Sequence, residues 1–198
     1  MIINKYGLKL RLLVNSDLEM VRMWRNKSRV RKHMQYQKIV SKQDQEVWFS
    51  GLDWSRSVYW VFSKNDLDIG LVHIKNIQDE VGEAGVFTGL DEFLDTPVPA
   101  IAILVMMDTA FDIIGLKRLR AKISSNNNHT LWANLKFGYV SEDKDSKSEF
   151  NYYSTDETLF KNATSPLRQS LLKLYGAECK IESDGNKHVI LDAAFLEL

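Results

Sequence analysis

The segment from Val98 to Ile114 constrains the fold more than any other part of the sequence. It reads VPAIAILVMMDTAFDII, and its only charged residues are Asp108 and Asp112. An apolar run of this length, closed by Gly115, predicts a buried helix rather than a strand. It is shorter than the roughly 20 apolar residues that a membrane span needs, so we expect no membrane partner. This helix is expected at the centre of the fold.

Short segments around this helix show strand and helix patterns in a definite order. The predicted strands are LKLRLLV, SVYWVFSK, LDIGLVHIK, GEAGVFTG, KRLRAKIS and EFNYYST. Helices are predicted from Asp17 to about Lys27 after a Ser16 cap, from Ser41 to Gly51, and in HTLWANLKF before Gly138. This order predicts an α/β fold with a mixed, mostly antiparallel sheet flanked by helices.

The pattern changes after Thr155. A helix capped by Pro166 is predicted in PLRQSLLKLYG, and a hairpin is predicted in CKIESDGNKHVIL, with its turn at Asp184 and Gly185. We therefore divide the chain into a domain, residues 1–155, and a small C-terminal appendage, residues 156–198. The appendage could cover a sheet edge, form a homodimer contact or close a substrate site.

Charge and cysteine content exclude several classes of function. The 26 basic and 26 acidic residues cancel, so no overall field attracts nucleic acid or an anionic membrane. The single cysteine, Cys179, cannot form an internal disulfide, and MIINKYGLKL lacks the features of a secretory leader. These observations predict a cytoplasmic protein without a nucleic-acid partner, and we predict no metal site.

Three segments of the chain form a recognisable ordered set: LRLLVNSDLEMVRMWRN, IGLVHI and AFDIIGLKRLRAKISSNNNHTLWANLKFGYV. Together they resemble the GNAT superfamily of acyl-CoA-dependent N-acetyltransferases, and the resemblance covers about residues 8–155. Within this superfamily, WRN, VRKHM and WFSGL look most like enzymes that acetylate an amino sugar linked to a nucleotide. Enzymes that acetylate protein N-termini share much of this pattern. The resemblance implies acetyl-CoA as the acyl donor and a small amine as the acceptor.

Acetyl transfer to an amine requires a base, hydrogen-bond donors for the developing oxyanion and an acid for the leaving thiolate. The resemblance places the thioester beside GEAGVFTG, where main-chain groups of Val86, Phe87 and Thr88 are expected to hold it. Glu83 on the same strand is the first candidate for the base. His73 is the second candidate, because the pKa of an unperturbed histidine, about 6.5, suits a base near neutrality. Each could instead have a purely structural role.

The acid is less evident, because the family's usual tyrosine position falls on Asn134. An asparagine can hydrogen-bond the sulfur but cannot supply a proton as an acid. Tyr139 is our candidate acid, and Tyr152 and Tyr153 are alternatives. Asn127 matches the family's asparagine that contacts the cofactor arm, although it could equally be a helix cap.

Acceptor recognition is expected at basic residues near the first helix. Arg22, Arg25 and Arg29 lie where the resemblance implies acceptor binding, and guanidinium groups form bidentate bonds with phosphates. A solvated helix face is the alternative interpretation of these arginines.

The loop before the central helix departs from the family pattern. Family members bind the cofactor pyrophosphate there through glycines and free N–H groups. Here the aligned segment, residues 94–97, has no glycine, Pro97 and Pro99 lack an N–H, and three acids lie nearby, Asp91, Glu92 and Asp95. Each carboxylate about 4 to 6 Å from a phosphate would cost on the order of 3 to 4 kcal/mol before screening.

Three hypotheses accommodate this loop. It could bulge outward, so that the free N–H groups of Ala100, Ile101 and Ala102 bind the phosphates. The chain could instead be a degenerate GNAT-fold protein that binds a partner or ligand without acetyl transfer. The donor could also be a carrier protein, whose phosphopantetheine has a single phosphate.

Overall fold

A computed structural model describes residues 1–142 and 149–182. The strands are β1 Ile2–Lys5, β2 Leu8–Leu12, β3 Val58–Lys64, β4 Leu67–Gln78, β5 Val81–Thr88, β6 Arg118–Ser124, β7 Val140–Ser141, β8 Phe150–Thr155 and β9 Cys179–Glu182. The α-helices are α1 Leu18–Asn26, α2 Ser28–Arg31, α3 Lys42–Ser50, α4 Val98–Asp108, α5 Asn128–Lys136 and α6 Glu157–Tyr175. A π-helical turn, Thr109–Ile113, continues α4.

The described strands form one sheet in the order β7-β8-β6-β5-β4-β3-β2-β1-β9. Neighbouring strands are antiparallel except β5 and β6, which are parallel and are connected through α4. A parallel pair needs such a crossover, which explains why the most apolar helix follows β5. The predicted α/β fold with a mixed, mostly antiparallel sheet is confirmed.

The core lies on both faces of this sheet. On one face, α4 is almost completely enclosed, and its Ala102, Leu104 and Met107 are each 0% exposed. The other face packs against α1 and α3, where Val21 and Trp24 join a second cluster with residues of β3 and β4. Because helices cover both faces, β3 is almost continuously apolar, and so is the middle of β4 from Ile69 to Val72.

Local capping agrees with the sequence at α3 and differs at α1. Ser41 caps α3 as predicted, because its hydroxyl accepts a hydrogen bond from Asp44 N–H. The Ser16 cap is wrong: α1 begins at Leu18, and the Asp17 carboxylate accepts from Val14 N–H and pairs with Arg11. An ionised carboxylate accepts stronger hydrogen bonds than a serine hydroxyl does, so Asp17 takes this role in place of Ser16.

The helix of the C-terminal appendage begins earlier than predicted. Asp156 caps α6, and Pro166 lies inside the helix rather than at its start. Phe160 and Leu171 of α6 join the same core cluster as α4, and β9 extends the sheet by pairing with β1. The predicted turn at residues 184–185 lies outside the described residues. The division at residue 155 stays a prediction, and the described part of the appendage packs directly onto residues 1–155.

Among the described residues, no helix combines the length and hydrophobicity needed to cross a bilayer.

Candidate active site

The main opening in the sheet lies between the parallel strands β5 and β6. These strands pair only at residues 81–83 of β5 and 118–120 of β6, and beyond those positions they diverge. A cavity of about 320 Å³ occupies the space between them, bounded by α4, α5 and residues 29–35. A gap of this kind leaves backbone hydrogen-bonding groups without a strand partner.

The hydrogen-bond register decides which main-chain groups of β5 face this gap. Gly89 N–H donates to the Ile69 carbonyl, and the register pairs Phe87 with Leu71. Because the direction of hydrogen bonding alternates along an antiparallel strand, Phe87 turns its N–H and C=O toward β4, while Val86 and Thr88 turn theirs toward the gap. The main-chain role predicted for Phe87 is therefore wrong, although its side chain lines the cavity.

Of the two main-chain positions that face the gap, Val86 is the more available. The Thr88 carbonyl already accepts a hydrogen bond of 2.9 Å from Arg29. In the described part of the chain, no strand residue pairs with Val86 on the β6 side. Val86 can therefore offer both an N–H and a carbonyl to a ligand in the cavity.

Glu83 lies on the cavity wall where the two strands begin to diverge. Its carboxylate forms a salt bridge of 2.9 Å with Lys75, and its side chain retains 21% exposure. Glu83 is in register with Lys75 on β4 and with Arg120 on β6, so the three side chains share one face of the sheet. The carboxylate is accessible enough to accept a proton directly or through water.

His73 also lines the cavity, but its environment differs from the one predicted. Its ring stacks on Tyr59 with centroids 5.1 Å apart, and its Nδ1 has no hydrogen-bond partner among the described residues. Burial, with a smaller contribution from Lys75, lowers the pKa of His73 to about 3. The expectation of a pKa near 6.5 is therefore wrong, and His73 stays neutral at physiological pH.

Gly85 makes room for the His73 ring. A Cβ at position 85 would lie closer to His73 Cε1 than any normal contact allows. Gly85 is directly opposite His73 in the β4–β5 register. A small residue inside this strand therefore marks a close approach, as expected for an interior glycine.

Tyr139 reaches the cavity from the turn after α5. Gly138, with φ +81°, ends the helix as predicted, and Tyr139 N–H donates to the Asn134 carbonyl. Tyr139 is 3% exposed, and burial raises its pKa, so its hydroxyl remains protonated near neutrality. Tyr139 and the alternative acid Tyr153 both belong to the core cluster, but only Tyr139 of the two lines the cavity, and the ring of Tyr152 lies under Arg120.

Asn127 and Asn134 both line the cavity, and both have local bonds. The Asn127 side chain accepts from Thr130 N–H and caps α5, which is one of its two predicted roles. Asn134 Nδ2 donates to the Thr130 carbonyl at 2.8 Å. Each amide still has hydrogen-bonding capacity toward the cavity, because one bond uses only part of its donors and acceptors.

The three arginines predicted to bind acceptor phosphates hold loops instead. Arg22 pairs with Glu19 and donates to the Val40 carbonyl, and neither Arg22 nor Arg25 lines the cavity. Arg25 Nη2 donates to the carbonyl of residue 36, and burial lowers the pKa of its guanidinium.

Arg29 does line the cavity, but its donors are already engaged. They bond the carbonyls of Thr88 and Gly89 and the carboxylate of Asp91. The prediction of an open arginine cluster for phosphates is therefore wrong, because these donors satisfy the protein's own backbone and Asp91.

The start of α4 offers fewer free N–H groups than expected. Ile101 N–H donates to the Pro97 carbonyl at 2.9 Å, Val98 N–H lies 3.4 Å from the Thr96 hydroxyl, and Pro99 has no N–H. Ala102 is 0% exposed inside the helix. The prediction that residues 100–102 present three free donors is wrong, and only Ala100 keeps that role.

The three acidic residues of this loop have different environments. Asp91 bonds Lys27 at 2.9 Å and Arg29 at 2.5 Å, and these cations lower its pKa to about 2. Asp91 is therefore charge-compensated within the protein. Glu92 and Asp95 are exposed.

Two cationic residues near the cavity were not predicted from the sequence, Arg120 and Lys122. Ala121 and Ile123 of β6 are buried in the core, so the alternating Arg120 and Lys122 lie on the opposite face, with Glu83. The alternation in RLRAKIS was the available signal, but it could not show that β6 borders a gap.

Known structures share the architecture that surrounds this gap. An apo structure of FdhC, described as a nucleotide-linked sugar GNAT, superimposes with a TM-score of 0.72 at 17% identity and covers 86% of this chain and 98% of that one. Spermidine N-acetyltransferase from Vibrio cholerae, in complex with CoA and spermine, gives a TM-score of 0.66 at 15% identity and covers 78% and 98%.

A third solved structure is RimL, the ribosomal L7/L12 alpha-N-protein acetyltransferase in complex with coenzyme A. It gives a TM-score of 0.69 at 14% identity and covers 79% of this chain and 98% of that one. At these identities the likeness shows a shared fold only.

No curated protein matches this chain in sequence. The model of the acetyltransferase (GNAT) domain matches residues 8–140, more than half of the chain. The protein therefore belongs to the GNAT acetyltransferase family.

Proposed function

We propose that this protein is an acetyl-CoA-dependent N-acetyltransferase that acts on a small amine. The observation that carries the proposal is the gap beside β5, where the unpaired main chain of Val86 and the carboxylate of Glu83 border one cavity. This arrangement supplies an oxyanion donor and a base on the same strand, as acyl transfer requires.

Acetyl-CoA supplies a thioester whose carbonyl carbon is attacked by the amine nitrogen, after which the carbon–sulfur bond breaks and the sulfur leaves as a thiolate. We assign Val86 N–H to the carbonyl oxygen and Glu83 to the proton released by the amine. Tyr139, which stays protonated because of its raised pKa, is assigned as donor of a proton to the sulfur. His73 remains a neutral hydrogen-bonding residue, since its burial lowers its pKa to about 3 and disfavours the protonated form that it would become as a base.

The cavity residues fit only one part of the proposed donor. Val86, Asn127 and Asn134 suit the amide groups of a pantetheine arm, because they combine main-chain and amide hydrogen bonding in a narrow gap. The start of α4 has few free N–H groups for the pyrophosphate. The proposed enzyme therefore holds the donor mainly through its arm.

Two further hypotheses follow from the same features. An amino sugar linked to a nucleotide is our first proposal for the acceptor, and a protein N-terminus is the alternative. The modified start of α4 favours a second candidate function, a GNAT-fold binding protein without acetyl transfer, and it also keeps a carrier-protein donor in consideration. The homodimer and the cytoplasmic setting stay predictions.

Titration calorimetry with acetyl-CoA tests the function most directly. We expect binding in the micromolar range, and a folded protein that shows no heat at several hundred micromolar donor would contradict the enzyme. Steady-state transfer then compares Glu83→Gln with Glu80→Gln, an exposed carboxylate that pairs with Lys117. Removing the base should lower kcat by about a hundredfold or more, while the control stays near wild type.

Donor binding should be the same in the wild type and in Glu83→Gln. If Glu83→Gln transferred acetyl groups as fast as Glu80→Gln and the wild type, Glu83 would not be the base. Nucleotide sugars and peptides that begin with a free amine should then be compared as acceptors, because protection from heat by peptides alone would favour the protein N-terminus.

A further inference from the structure

Lys122 stands out among the charged residues of the cavity. Arg29 is paired with Asp91, and Lys75 is paired with Glu83. Outside the cavity, the neighbouring Arg120 is paired with Glu142. Lys122 forms no salt bridge within the described ranges, so none of the described carboxylates compensates the charge of its ammonium group.

The contacts that Lys122 makes with described residues are neutral and partly aromatic. Its Nζ donates to the Gln35 side-chain oxygen at 3.2 Å and lies 4.9 Å from the Phe150 ring centroid and 5.9 Å from that of Tyr152. An amide oxygen and two ring faces attract a cation, but they do not neutralise it. A partly buried ammonium group in such a place gains more from an oxyanion than from a neutral acceptor.

Lys122 lies on the same face of the sheet as Glu83, the proposed base. Lys122 lies two residues beyond Arg120 on β6, and Arg120 is in register with Glu83. Side chains two residues apart share a face of a sheet and are separated by roughly 7 Å. A small molecule whose amine meets Glu83 can therefore place a second group beside Lys122 on the same side of the gap.

We propose that Lys122 binds an oxyanion of the acceptor, so that the enzyme prefers amines that also carry a phosphate or carboxylate. This inference rests on the proposed function, because it names the class of acceptor for the same site. The oxyanion replaces the Gln35 oxygen on Nζ. Cationic amines without an anionic group, such as polyamines, are disfavoured by the like charge of Lys122.

Gln35 lies in a segment that connects the proposed oxyanion subsite to α1. Residues 32–40 follow α2, and α1 holds this segment through Arg25 to the carbonyl of residue 36 and through Asn26 to both main-chain groups of Val40. The Gln35–Lys122 bond joins the segment to β6 across the mouth of the cavity. Acceptor binding at Lys122 therefore takes place under a segment that α1 already fixes.

The test compares glucosamine 1-phosphate with glucosamine as acceptors, and spermidine as a polyamine. We expect the wild-type enzyme to prefer the phosphorylated amine by about tenfold or more in kcat/KM, which is the effect of one charge-assisted hydrogen bond. Lys122→Gln should remove this preference by raising KM for glucosamine 1-phosphate, with kcat and the KM for glucosamine nearly unchanged. Lys117→Gln, an exposed lysine outside the cavity, is the matched control.

Equal use of the two sugars by the wild type, a preference for spermidine, or an unchanged KM in Lys122→Gln would overturn the inference while leaving acetyl transfer intact. Calorimetry with glucosamine 1-phosphate alone separates the two proposals. If no amine is acetylated but this ligand binds the wild type and not Lys122→Gln, the proposed function fails and the oxyanion site stands. If the ligand also fails to bind the wild type, the subsite is refuted.

Discussion

Asp108→Asn should destabilise the protein far more than the loss of a surface ion pair. Asp108 ends α4, and its carboxylate bonds Lys5 of β1 at 2.7 Å and Arg168 of α6 at 2.5 Å. Its side chain is 7% exposed, and those of Lys5 and Arg168 are 18% and 20% exposed. The substitution keeps the shape of the side chain and leaves two partly buried cations without their carboxylate.

The size of the expected loss in unfolding free energy follows from the burial of this ion-pair cluster. Removing one partner of a buried ion pair costs about 3 to 5 kcal/mol, and the residual hydration of the two cations places our expectation near the lower value. For a chain of this size, that loss corresponds to a decrease of roughly 6 to 12 °C in Tm. The m-value of urea unfolding should remain unchanged, because the surface exposed on unfolding is the same.

A neighbouring pair provides the control. Asp112, in the π-helical turn, bonds Lys161 of α6 at 2.9 Å, but both side chains are nearly half exposed. Asp112→Asn should therefore cost less than about 1 kcal/mol in urea unfolding. Equal losses in the two variants would refute the reasoning, because burial would then not determine the strength of the contact between α4 and α6.

Three other predictions concern the cavity and the loop before α4. The folded chain keeps His73 neutral down to about pH 3, whereas the unfolded chain binds a proton below about 6.5, so stability is lost as the pH falls below 6.5. Between pH 7 and 5 the wild type should lose about 2 kcal/mol through this residue, and urea unfolding of His73→Gln should lack that loss. Gly85→Ala should displace the His73 ring and cost about 1 to 3 kcal/mol with a fall in activity, whereas Gly51→Ala, whose nearest contact would be 3.2 Å, should unfold near the wild-type urea midpoint. Asp95→Asn should change CoA affinity by less than about threefold in calorimetry, because an exposed carboxylate is screened by salt, and a tenfold tightening would show that this side chain faces the phosphates.

Local patterns were sufficient to predict most elements of the fold. The strands predicted in SVYWVFSK and LDIGLVHIK and the helix over the long apolar run all appear in the structure. These features depend on residues close together in sequence. The strand Ile2–Lys5 was missed because four residues are too few to show a period, and its partners in the sheet are β2 and β9.

The site was less predictable because its properties arise from distant contacts. Asp91 looked like an obstacle to an anionic ligand, yet it is neutralised by Lys27 and Arg29, more than 60 residues earlier in the chain. The low pKa of His73 results from packing on Tyr59 and opposite Gly85, which no local pattern records.

The sequence also could not show which main-chain N–H group, that of Val86 or that of Phe87, faces the gap. Both lie on a strand that was correctly predicted, but the direction of their N–H groups depends on the phase of pairing with β4. A shift of one residue would exchange their roles.

The early separation of β5 from β6 also gives the sheet an edge in its interior. Exposed edges with unpaired N–H and C=O groups invite pairing with strands of other molecules and can lead to aggregation. Here α4 and α5 border this edge, together with residues 29–35, and the space left is about 320 Å³. The elements that enclose the site of the proposed donor therefore also shield the unpaired main chain of β5 from strands of other molecules.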